Sequence, residues 1–303
     1  MRKLLFAAFV CCAALIAGPA FGKDGYNLTL STGLRSDEFD WNIAGDSSGA
    51  NPNVLSELSW RELDIYEIRG KLAVETNRVY IRGSLAYGLI YNGVNQDSDY
   101  NGDNRTLEFS RSNNRADDGS VWDISGGVGY VFRLTPSSRA ALDVIPLAGF
   151  SYHRQNLTIT DGFQTIPATG PFGGLNSTYE ARWTGPWAGV DLIYRFDRLT
   201  LSGTFEYHVA SYLAEADWNL RTDFAHPKSF EHTANGTGVV VSLGGDYAIS
   251  KEWAVGGSFD YQDWRAEDGT DRTFFSDGSI AETKLNEVNW TSEALMVDVR
   301  YSF

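Results

Sequence analysis

The sequence predicts an all-β fold, a ten-stranded antiparallel β-barrel crossing a membrane, on three observations. Strand-length segments alternate apolar or aromatic residues with charged ones. No segment of the body is apolar over the ~20 residues that a membrane helix needs. The connections between segments alternate short and long. A strand with charge on its second face cannot line a dry sandwich core, but it can stand between lipid and a polar lumen.

The first residues read as an export leader. Arg2 and Lys3 make a basic start, Leu4 to Ala17 is an apolar run of signal-peptide length, and Ala20-Phe21-Gly22 offers small residues for cleavage before Lys23. Residues 1–22 are therefore expected to be a signal peptide and 23–303 a single outer-membrane barrel domain. Both cysteines, Cys11 and Cys12, lie in the leader, and the residues before them are not the small pair of a lipoprotein signal. The body then uses neither disulfides nor thiolate chemistry, and no cofactor is expected. Removing Arg2 and Lys3 from 25 basic residues leaves 23 against 39 acidic ones, a net charge of −16. That balance argues against nucleic acid as a partner. It suits a basic peptide, and it equally suits any acidic solvated surface.

Ten strands follow, at about 26–43, 54–74, 78–96, 119–133, 139–161, 177–196, 199–219, 235–248, 252–268 and 286–303. The last is the clearest: Leu295, Val297, Val299, Tyr301 and Phe303 alternate with Met296, Asp298, Arg300 and Ser302. The third sets Val79, Ile81, Leu85, Tyr87 and Leu89 against Arg82 and Ser84, and the seventh sets Leu201, Phe205 and Tyr207 against Thr204, Glu206 and His208. Connections near Glu75–Arg78, Leu134–Ser138, Asp197–Arg198 and Ala248–Lys251 are short. Those near 44–53, 97–118, 162–176, 220–234 and 269–285 are long and polar. This is the pattern of periplasmic turns and extracellular loops in the outer membrane. Trp122, Trp187, Trp253 and Tyr301 are candidates for interfacial girdles. So narrow a barrel should be filled by inward side chains such as Glu67, Arg69, Lys71, Arg82 and Asp298, which disfavours a channel.

Particular residues carry a family resemblance. Ser56-Glu57-Leu58-Ser59-Trp60-Arg61 with Ile68-Arg69-Gly70, and the stretch from Tyr179 to Asn219 with Gly185-Pro186-Trp187 and Gly203-Thr204-Phe205-Glu206-Tyr207, resemble the omptins, ten-stranded outer-membrane endopeptidases. The strand and loop order agrees along the whole mature chain. The resemblance implies a cell-surface cleft with an Asp-x-Asp and an Asp-x-His. Asp97 and Asp99 match the first pair and Asp217 the start of the second, but Asn219 stands at the histidine position. It also implies that Glu38 and Glu215 hold a basic substrate side chain. Arg154 and Arg182 would bind lipopolysaccharide phosphates, with activity depending on that lipid, and an arginine fork suits a phosphate. Phe150 and Tyr152 replace the neighbouring aromatic and acid of that lipid motif.

An asparagine amide neither accepts a proton usefully nor carries charge near neutral pH. Losing a general base costs about 10²–10⁴ in rate. One reading is therefore a catalytically impaired protease homologue used in binding, adhesion or envelope structure. The alternative is an active aspartic-type endopeptidase cutting next to basic residues with Asp97, Asp99 and Asp217. His208 lies too deep to serve as base, and His153 has no carboxylate motif beside it. In Asp223-Phe224-Ala225-His226 a surface histidine is ordinarily just solvated, but His226 becomes the first candidate if the loop register is misplaced. Asp263, Glu267, Asp268 and Asp271 gather carboxylates without a calcium-loop spacing, so no metal is expected there.

Overall fold

The computed structural model describes residues 25–134 and 140–303, so the expected leader and most of the expected turn at Leu134–Ser138 lie outside the described residues. The ten expected strands are present: β1 (Gly25–Ile43), β2 (Ser56–Thr76), β3 (Val79–Gly102), β4 (Thr106–Tyr130), β5 (Ala140–Ile166), β6 (Asn176–Phe196), β7 (Leu199–Asp217), β8 (Phe230–Ala248), β9 (Trp253–Phe274) and β10 (Ile280–Ser302). Two-residue strands at Phe132–Arg133 and Gly170–Pro171 add to β5. Each long strand pairs antiparallel with its sequence neighbours. β1 pairs with β10 from Asn27↔Ser302 to Ile43↔Leu285, which closes the sheet and leaves no edge exposed along the barrel wall. Among the described residues no helix is long and apolar enough to cross a membrane.

The alternation that predicted the strands also sorts their two faces. Leu30, Leu34, Ile68, Ile81, Leu201, Leu243, Leu295 and Val297 are exposed on the outer wall and form an apolar band toward the short-turn end. Between them, Arg35, Asp37, Glu67, Arg69, Asp260 and Asp298 point inward and are buried. Inward charges are matched by geometry. Arg35 meets Asp37 at 2.7 Å and Glu67 at 3.1 Å, Arg69 meets Glu67 at 2.7 Å and Asp260 at 2.6 Å, and Arg82 meets Asp191 at 3.0 Å and Glu206 at 2.6 Å.

Higher in the lumen the inward positions turn aromatic. Trp60, Trp183, Trp264 and Trp290 are all fully buried there with Phe39, Tyr179 and Tyr212. Trp264 and Trp290 stack with centroids 5.5 Å apart, and Trp183 packs on Tyr212 at 4.6 Å. Gly238 makes room for this plug, since a Cβ there would stand 2.4 Å from the Trp264 ring. Trp187 departs from the expected girdle. It follows the inward alternation of β6, lies over Gly127 and Gly149, where no side chain intervenes, and carries Arg82 at 4.9 Å from its ring centroid.

The strands are 19 to 27 residues long, well beyond the ~9–11 needed to cross a bilayer. Segments expected as loops, 97–118 and 269–285 above all, are largely strand; β3 and β4 turn at Asp103–Arg105, β9 and β10 at Phe275–Ser279. Above the apolar band the outer face turns polar, and in stretches such as 95–99 the inner face does too, so the hydrophobic period fades while the backbone ladder continues. This raised wall carries the residues singled out from the sequence.

Candidate functional site at the long-hairpin end

Asp97 and Asp99 sit on β3 above the apolar band, and two bulges turn them inward. Between Ile90 and Val94 of β3, and between Arg61 and Ile65 of β2, the pairing slips by one residue in each strand, with Glu62 at φ 55°. Below the slip Ile90 faces in; above it Asn95 does, and Asp97 and Asp99 follow. Burial and the neighbouring Asp99 charge push Asp97 up to about 8, against the pull of Arg221 and a hydrogen bond from the Trp218 indole. Burial also raises Asp99, although Ser56 and Ser110 hydrogen-bond its carboxylate.

Across the mouth, the end of β7 presents a different residue from the expected one. Its inward set is even-numbered: Glu206, His208, Ala210, Tyr212, Ala214 and Ala216 are buried. Asp217 therefore belongs to the outward set with Glu215, and Trp218 reaches Asp97. The Trp218 ring packs edge-on against Phe230 at 4.7 Å. Arg221, in the connection to β8, places its charge near both Asp97 and Asp99. It is held there by Asp223 at 3.0 and 2.8 Å and by the Phe224 ring 3.9 Å from its guanidinium carbon.

Asp217 does have an imidazole partner, His226, nine residues on, with Nδ1 and Oδ1 2.6 Å apart. The other ring nitrogen, Nε2, faces the Arg221 carbonyl oxygen at 3.2 Å. Both neighbours are acceptors, and the bond to Asp217 raises the His226 pKa. The imidazolium fits this pair of acceptors by donating from both nitrogens, and in that form the ring has no free lone pair for a water proton.

Asn219 is engaged elsewhere. Its oxygen accepts from the Asn176 backbone N–H at 2.9 Å and the Ser177 hydroxyl at 3.1 Å, and its amide donates to the Gly174 carbonyl at 2.7 Å. It fastens the β5–β6 connection to the end of β7. Glu38 is exposed on the outer wall with Arg61 at 3.2 Å, and Glu215 lies outward between Arg182 at 2.7 Å and Lys228 at 2.8 Å. Neither joins Asp97 and Asp99.

Arg154 and Arg182 do come together, directly opposite each other on β5 and β6. Glu180 bridges them: it pairs with Arg154 and meets Arg182 at 2.7 Å. With Lys228, Glu215 and Glu231 they form an outward ladder of balanced charge just above the apolar band. The acids near the β9–β10 tip do not converge: Asp268 meets Lys284 at 2.6 Å, Glu267 meets Arg265, and Asp271 is buried against Thr283 at 3.0 Å and His232 at 3.2 Å. Among the described residues no group of three or more potential ligands could hold a metal ion.

Trp218 and Arg221 were not singled out from the sequence. The signal for Trp218 was present, because continuing the even-inward count from Glu206 and His208 puts residue 218 inside and 217 outside.

Comparisons with known proteins agree with this architecture. The chain is similar in structure to the outer membrane protease OmpT from Escherichia coli, with a TM-score of 0.75 at 15% identity over 95% of this chain and 99% of that one. Weaker similarities include the translocator domain of the autotransporter NalP from Neisseria meningitidis, with a TM-score of 0.38 at 10% identity over 100% and 96% of the two chains. Another is Ail, the attachment invasion locus protein of Yersinia pestis, with a TM-score of 0.27 at 10% identity over 91% and 98%. No curated protein sequence matches. The fold is thus that of an omptin-type outer-membrane β-barrel, and the family profile described as Protochlamydia outer membrane protein matches residues 29–303, so the chain belongs to that family.

Proposed function

We propose that this outer-membrane barrel is a catalytically impaired protease homologue that acts at the cell surface by binding, in adhesion or envelope structure, with its long hairpins extracellular. The observation that carries the reading is what faces Asp97 and Asp99: an indole N–H and a guanidinium, where a hydrolase of this design needs a water and a proton acceptor. His226 is turned to two acceptors and Asn219 to backbone and hydroxyl groups. The aromatic plug across the lumen disfavours a channel. The outward Arg154–Arg182 pair, next to lipid, offers guanidinium groups to lipopolysaccharide phosphate once Glu180 yields. The acidic chain suits basic peptides or surface proteins as partners.

One observation favours the second reading, an active endopeptidase: the Asp217–His226 pair supplies the carboxylate–imidazole unit that Asn219 lacks. A fluorogenic dibasic peptide, incubated with the refolded barrel and lipopolysaccharide, separates the two. The binding reading expects no turnover from the wild type. Turnover that both Asp97→Ala and His226→Ala abolish would establish the enzyme instead.

A further inference from the structure

The end of the lumen opposite the mouth holds a cavity of about 500 Å³, reaching from the charged layer under the aromatic plug to Gly25 and Ser302 at the short-turn rim. Small polar residues line much of it, Thr29, Ser84, Ser202 and Ser258 among them, so the space is not filled by the wall. Its ionic side chains are paired with two exceptions. Arg69, Arg82 and Arg300 meet Asp260, Asp191 with Glu206, and Asp246, respectively. Among the described residues Asp298, only 7% exposed, has no hydrogen-bond partner at Oδ1, and Lys71 makes no ion pair, although Asp260 and Asp298 lie within electrostatic reach of it.

A buried charge without a partner is strongly disfavoured, and an acid and a base free to meet would relieve each other. The sheet register keeps these two apart. Lys71 lies across from Thr29, whose other neighbour is Arg300; Asp298 lies across from Ser31, whose other neighbour is Arg69. Two inter-strand spacings and a two-residue offset put the backbones about 12 Å apart on the two strands that flank β1, so each charge is within electrostatic reach of the other but they form no ion pair. We infer that this cavity is a binding site for a small zwitterion of amino-acid to dipeptide size, with the ligand carboxylate on Lys71 and its ammonium on Asp298. Ser202, Ser258 and Thr29 supply hydroxyls to the atoms between. The site is separate from the mouth, so it stands whether or not the barrel hydrolyses peptides.

Calorimetry on the detergent-refolded barrel tests this with three probes: glycylglycine, its N-acetyl derivative and its C-terminal amide. Saturable binding of glycylglycine is expected, with each blocked derivative about tenfold weaker, the loss of one charged contact. Lys71→Met should remove the penalty of amidation and leave that of acetylation; Asp298→Asn should do the reverse. Folding of each variant is verified by heat-modifiable migration on gels, and the blocked probes test the idea on the wild type alone. No saturable binding, or equal binding of all three probes, overturns the site. Sensitivity to the amide alone would mark a simple anion site and overturn the zwitterion assignment.

Discussion

Replacing Asp97 by asparagine should make the barrel less sensitive to rising pH. Asp97 is held at about 8 in the folded protein against an ordinary 3.8, because it is buried next to Asp99. A folded-state value above the unfolded one means that the folded protein keeps a proton the unfolded chain has released. The stabilisation is whole below the unfolded value and is lost as pH rises through the folded one, at up to about 1.4 kcal/mol per pH unit. Asparagine has nearly the same shape, still accepts from the Trp218 indole, and does not titrate. Between pH 5 and pH 8 the wild type should therefore lose on the order of 2–4 kcal/mol more than Asp97→Asn, with Asp99 leaving a smaller slope in both. Equilibrium urea unfolding in lipid vesicles, followed by tryptophan fluorescence at several pH values, measures the difference. Parallel pH profiles for the two proteins would refute the claim that Asp97 is buried, protonated and closed off by Trp218.

Four further outcomes follow from the same geometry. His226 should titrate above the ordinary histidine value and fall back in Asp217→Asn; its contribution to folding is present below the unfolded value and disappears as pH rises through the folded one, which an NMR titration of the ring protons reads directly. Asn219→His should not create proteolysis and should loosen the β5–β6 connection by about 1–3 kcal/mol, visible as faster nicking of 167–175 by an added protease. Gly238→Val drives a side chain into the Trp264 ring and should cost about 1–3 kcal/mol or prevent refolding, measured by the heat-modifiable gel shift. Planar-bilayer recordings should show no stable conductance until plug residues such as Trp264 and Trp290 are both cut back to alanine.

The barrel was legible because its lower half keeps an apolar outer face, as on β10, where Leu295, Val297 and Val299 lie outside and Met296 and Asp298 inside. The raised wall was harder, since segments such as Asn95–Gly102 have polar residues on both faces and no hydrophobic period to announce a strand. The candidate site divided along the same line. Asp97 and Asp99 face inward only because two bulges near Glu62 and Tyr91 reverse the count, and a bulge leaves little trace in composition. At Asp217 the count runs the other way: no slip interrupts the β7–β8 pairing up to Ala216, so counting from His208 puts Asp217 in the outward set. The His226 partnership was out of reach, because it depends on how residues 218–229 fold back over the rim rather than on local spacing.

The tryptophan plug sets a floor between the cavity at the short-turn end and the mouth at the long-hairpin end. Whatever enters the cavity cannot pass to the mouth, so the two ends can differ in their chemistry. Substitutions in one are screened from the other by rings that stack whichever side is altered. A chain of this design can change its long-hairpin rim while the short-turn cavity stays as it is, and the reverse holds equally.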